Sequence, residues 1–160
     1  MFDRITISEV PTSRTFRIAF TLLKPEGWRT VHDNQWLAFA PSWRRDSGFA
    51  VLMPNKECTG DERLLGRTRG IENYLETVFT ELQEVTLEEN EDEMGPYDLQ
   101  AFRGRLPGVF GRVILVVASV AVEDVNFFLV GFSQDERFEV LEPTFRAMVG
   151  SFRPMVTVPR

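Results

Sequence analysis

The chain has 160 residues, 43% hydrophobic and 26% charged, a globular balance with enough length to bury a core unaided. Its formal charge of -6 argues against nucleic acid as a partner, because the mean field repels phosphate backbones. One cysteine, Cys58, and one histidine, His32, cannot supply an internal disulfide or a thiol and imidazole zinc site, and no cofactor is expected.

The opening MFDRITISEVPTSR carries charge throughout and has no apolar segment followed by small cleavage-site residues, so it does not read as a secretory signal. A single domain over 1–160 is expected, with 1–14 and 155–160 at its periphery. As it stands the chain is expected in the cytoplasm, or in the periplasm if it is a mature or excised part of an exported protein. Thr15 to Leu23 reads as the first strand, with Phe16, Ile18, Phe20 and Leu22 on one face and a stop at Lys24-Pro25-Glu26-Gly27. Trp36 to Ala40 and Phe49 to Met53 read as two further strands joined by a hairpin.

Between Thr68 and Glu84 the residues Ile71, Tyr74, Leu75, Val78, Phe79 and Leu82 recur at helical spacing, and the pattern predicts the first helix. An acidic stretch, Glu88 to Glu93, follows and is read as a solvated loop, since it lacks the ligand spacing and central glycine of a calcium loop. Tyr97 to Leu106, Val109 to Val122 and Asn126 to Phe132 predict three strands whose short links, Pro107-Gly108 and Glu123-Asp124, demand antiparallel pairing. The run VILVVASVAV is apolar on both faces, so that strand should be covered on both sides; at ten residues it is too short for a membrane-spanning helix, and no membrane insertion is expected.

Phe138, Leu141, Phe145, Met148, Val149 and Phe152 predict a closing helix, and Ser133 with Glu136 has the spacing of a capping box. Pro143 leaves two alternatives: a short turn after Ser133 with the helix starting near Glu142, or one longer kinked helix. The predicted architecture is α+β, a mostly antiparallel sheet of about six strands covered by two helices in the order βββ-α-βββ-α.

Few residues carry recognisable chemistry. There is no paired-histidine zinc motif and no nucleophile elbow of the form G-x-S-x-G. His32 reads as an ordinary histidine of a polar loop, and Cys58, in a turn of mixed charge, as a spectator thiol that lacks a legible base. Gly104, Gly108 and Gly111 have no helix start after them and read as hairpin and bulge positions, not a phosphate cradle. Trp43, Arg44 and Arg45 share the connection between the second and third strands, and they are the candidate protein-binding residues because Trp and Arg dominate interface energetics. The alternative is that Trp43 folds back over the sheet edge while the arginines pair with nearby acids.

Two segments carry a resemblance. Lys24-Pro25-Glu26-Gly27-Trp28 is similar to the P-x-G-W turn of PsbP-like proteins, and Phe145-Arg146-Ala147-Met148-Val149-Gly150-Ser151-Phe152-Arg153-Pro154 looks like the closing helix and S-F-R motif of that fold. That ending, with the strand Asn126 to Phe132, also resembles the non-peptidase C-terminal domain of HtpX-like bacterial zinc metalloproteases over roughly the last 60 residues. The resemblance implies a PsbP-like sandwich that acts by binding or assembly without chemistry of its own, an accessory domain with a protein partner. The alternative function is a small-molecule or lipid site in an apolar cleft between the sheet and the first helix.

Overall fold

Alternation of apolar and polar residues, interrupted by proline and glycine turns, folds most of the described residues into antiparallel strands. The computed structural model describes residues 2–10, 17–32, 36–41, 46–52, 75–76, 78–86, 98–122 and 125–157. Within them lie ten strands: β1 (Phe2–Val10), β2 (Arg17–Pro25), β3 (Arg29–His32), β4 (Trp36–Ala40), β5 (Gly48–Leu52), β6 (Thr80–Val85), β7 (Asp98–Arg105), β8 (Val113–Val122), β9 (Val125–Gln134) and β10 (Arg153–Thr157). A 3-10 turn, Asp135–Arg137, leads into the long helix α1, Phe138–Ser151.

The strands form two sheets. A seven-stranded sheet runs β3-β4-β5-β9-β8-β7-β6, and a three-stranded sheet runs β1-β2-β10, with every pairing antiparallel. Strand β8 lies inside the large sheet, and its residues from Val113 to Val120 are buried on both faces, as its composition predicts. Ile114, Val116, Ala118 and Val120 face one core with Phe39, Phe49, Phe127 and Leu129, and that core is closed by Phe20 and Leu22 of β2 and by Phe145, Met148 and Val149 of α1. Val113, Leu115 and Val117 face a second core with Phe102, Phe128 and Val130, closed by Leu75 and Phe79. Each fully buried Leu, Val or Phe contributes roughly 1.5–3 kcal/mol, so these two cores outweigh any surface ion pair at about 0–1 kcal/mol.

The expected six strands and two helices need correction. The first helix was expected to reach Glu84, but helical backbone ends at Val78, where the Phe79 amide donates to the Leu75 carbonyl at 2.7 Å, and Thr80–Val85 is strand. The physical reason is tertiary: β7 offers a row of unpaired backbone groups, and pairing with β6 satisfies them. Leu82 packs on the second core in this strand as it would have in a helix, which is why helical spacing misleads here. Strand β1 forms from the opening segment expected at the periphery and lies along β2 as an edge; β3 comes from a stretch with no strand signal, and β10 from the tail after Phe152, whose residues read only as extended.

Helix α1 combines the two alternatives for Pro143. A short 3-10 turn does precede it, yet the helix starts at Phe138 and runs through the proline. Pro143 and Glu139 are both exposed, so water can reach the Glu139 carbonyl that loses its usual amide partner. The capping box is not made. Ser133 is fully buried in β9 and its hydroxyl donates to the Gln134 carbonyl at 3.0 Å, while Arg137 occupies the helix N-cap without a side-chain bond.

Candidate functional site

Both motifs behind the PsbP-like resemblance do structural work. In the first, Gly27 adopts φ +83°, a conformation glycine reaches without strain, and the Trp28 amide donates to the Pro25 carbonyl at 3.2 Å. That turn drops Trp28 into the first core, and the Lys24 ammonium donates to the Trp28 carbonyl at 2.6 Å. In the second, the Ser151 hydroxyl accepts from the Leu23 amide and donates to the Met148 carbonyl, both at 2.8 Å, which fastens the end of α1 to β2. Phe152 fills the corner with its ring centroid 5.3 Å from that of Phe20 and 5.5 Å from that of Phe127. Arg153 donates to the Gly150 and Phe152 carbonyls, groups that a helix end leaves without amide partners.

The candidate residues Trp43, Arg44 and Arg45 lie outside the described residues, but the strand ends that bracket them do not. Ala40 pairs with Arg29, Phe39 with Phe49, and Gly48 with Phe132, so Pro41 and Asp46 sit at the end of the large sheet where β9 leaves toward α1. Ser47 is buried with its hydroxyl 3.4 Å from Asp46 Oδ1, and a Cβ on Gly48 would meet the Phe39 carbonyl at 3.1 Å and the Phe132 ring at 3.2 Å. These contacts seat the start of β5 firmly.

The hairpin between β7 and β8 stands at the same end of the sheet, because Gly104 pairs with Val113 and Val113 with Gln134. Its turn is built by Pro107 and Gly108 (φ +82°), closed by the Val109 amide on the Leu106 carbonyl at 3.1 Å, and Gly111 (φ +82°) reverses the chain again. Between the two glycines Phe110 stands 95% exposed, the most exposed large apolar side chain among the described residues. Phe110 is thus not in the strand expected from Val109 to Val122, because β8 starts only at Val113; the glycines on either side of it signal that the chain turns there.

Two ion pairs flank this end. Arg105 Nε meets Glu81 Oε2 at 2.6 Å, and Arg103 Nη2 meets Asp135 Oδ1 at 3.5 Å. Glu81 sits at φ +53° in a bulge where it and Leu82 oppose Gly104, and a Cβ on Gly104 would meet the Thr80 carbonyl at 3.1 Å. Gly104, Gly108 and Gly111 thus serve as the bulge and hairpin positions read from the sequence.

His32 is the last residue of β3, opposite Leu37, and not part of a loop as expected; it lies at the far end of the sheet from Phe110. Cys58 and the acidic stretch Glu88 to Glu93 lie outside the described residues. Among the described residues no three His, Cys, Asp or Glu side chains converge as a metal site would require, and no helix is long and apolar enough to cross a membrane.

No protein-family model and no curated protein matches the sequence. Solved structures do match in shape. The solution structure of cyanobacterial PsbP (CyanoP) from Synechocystis sp. PCC 6803 is 15% identical, with a TM-score of 0.56 over 95% of this chain and 91% of that one. LpqN, described as involved in cell envelope biogenesis of Mycobacterium tuberculosis, is 10% identical, with a TM-score of 0.50 over 97% of this chain and 92% of that one. The two motifs and the whole-chain superposition agree, and the fold of this protein is PsbP-like.

Proposed function

We propose that this chain is a non-catalytic accessory domain that acts by binding another protein, and that Trp43, Arg44 and Arg45 take part in the contact. The observation that carries the reading is the PsbP-like fold over 95% of the chain, joined to the structural employment of both signature motifs. A bacterial envelope setting draws support from the likeness to LpqN, whose description places it in envelope biogenesis. Under the HtpX-like resemblance the partner would be a metallopeptidase that this domain positions. The competing reading of a ligand cleft between the sheet and the first helix draws no support from the described part of that region, where Leu75 and Phe79 are buried against the sheet.

The test is a triple substitution of Trp43, Arg44 and Arg45 by alanine, followed by affinity capture with the purified protein. Loss of a partner held by the parent chain supports the proposal. Retention of every partner at equal yield removes these residues from it, and turnover of a substrate by the purified chain refutes the non-catalytic reading altogether.

A further inference from the structure

Deepening the accessory reading and resting on it, we infer that Phe110 is the anchor of the binding surface, and that it inserts into an apolar pocket rimmed by carboxylates on a partner protein. A lone exposed apolar side chain needs no explanation in itself, but a phenylalanine 95% exposed at the tip of a hydrogen-bonded hairpin is placed to meet a partner, as aromatic anchors are. The backbone around it is held tightly. The Phe110 carbonyl accepts from Gln134 Nε2 at 3.2 Å, the Arg112 carbonyl accepts from the Asp135 amide at 3.0 Å, and half-buried Val109 packs on the second core. A rigid stem of this kind presents the ring without an ordering penalty on binding, the property that separates an anchor from a floppy apolar residue.

Charge names the partner's chemistry. Arg112, two residues from Phe110, and Arg137, two residues from Asp135, are exposed and make no ion pair among the described residues. The acids sharing this end are Asp135 and Glu81, held by Arg103 and Arg105, Asp46, which accepts from the Ser47 hydroxyl, and the exposed Glu136 and Glu139; none of them lies within the hairpin that carries Phe110 and Arg112. In a chain of net charge -6, this hairpin therefore offers an apolar ring two residues from an exposed guanidinium, that of Arg112, which makes no ion pair among the described residues. A carboxylate-rimmed pocket complements it, and such pairing raises association rates and makes them sensitive to salt.

The test places a photoreactive benzoylphenylalanine at position 110, and separately at 43 and 140, in the full chain within its source cell, and identifies each adduct by mass spectrometry. The protein caught from 110 is then purified and titrated against the unmodified chain and its variants. The expected result is one protein adduct from 110, binding that weakens about 30-fold or more in Phe110→Ser, as truncation of an anchor aromatic does, and binding that stays within about threefold in Phe110→Trp on the same scale. Arg112→Glu should slow association and flatten its salt dependence. An unchanged unfolding midpoint in Phe110→Ser shows that the fold is intact.

Adducts from 110 with lipid alone, or with a second copy of this chain alone, overturn the proposal, as does binding unchanged in Phe110→Ser. An adduct from 43 with none from 110 overturns it while leaving the accessory reading in place. No protein adduct from either position overturns both.

Discussion

Gly131 of β9 lies directly under the ring of Phe145 of α1, so close that a Cβ at this position would stand 2.7 Å from the Phe145 Cγ. The missing side chain is what lets the helix settle onto the large sheet, and Phe145, buried between Phe49 and Phe138, has no room to retreat. Gly131→Ala should therefore destabilise the protein by about 1–3 kcal/mol through overpacking. The measurement is the urea midpoint at constant slope. Phe145→Leu in the same background should recover part of the loss, since the two residues share one contact; strictly additive effects would show that the close approach is not the cause.

Ser151 holds the end of α1 to β2 through its 2.8 Å bond from the Leu23 amide. Ser151→Ala leaves that amide without an acceptor and should destabilise by about 1–2 kcal/mol, the usual loss for an unsatisfied buried donor. Hydrogen exchange locates the effect: the Leu23 amide should exchange about tenfold faster, the factor that corresponds to about 1.4 kcal/mol. Unchanged protection at Leu23 would contradict the bridge.

The bulge at Glu81 separates backbone strain from side-chain pairing. At φ +53° a non-glycine residue is strained, and its carboxylate holds exposed Arg105. Glu81→Gly should change stability by no more than about 1 kcal/mol, because relief of the left-handed conformation offsets an exposed ion pair of similar size. Glu81→Val loses the pair and adds a branched side chain where none fits, so it should lower stability by more than about 1 kcal/mol. Equal effects from the two substitutions would rule out the left-handed geometry.

Core and surface should differ sharply in weight. Phe152, fully buried between Phe20 and Phe127, should lose about 3–5 kcal/mol on truncation to alanine, while Arg105→Ala should lose at most about 1 kcal/mol. Thermal unfolding of both variants checks the ranking. A Phe152→Ala protein with wild-type stability would mean that the corner closing α1 onto β2 is not part of the core.

Periodicity in the residues alone was enough for the interior strands, for the meander of β7, β8 and β9, and for the helical face carrying Phe138, Phe145 and Met148. In each case burial on a defined face leaves its period in the chain, and Pro107-Gly108 encodes its turn locally. What only the tertiary structure decided was the edges and the ends. β1, β3, β6 and β10 carry mixed polar residues, and they are strands because a neighbouring strand presents backbone groups that need partners, information that resides in distant sequence. The same holds for the candidate surface. Trp43, Arg44 and Arg45 could be named from residue type, but the exposure of Phe110 follows from two left-handed glycines and from pairings that bring the ends of β5, β8 and β9 together in space.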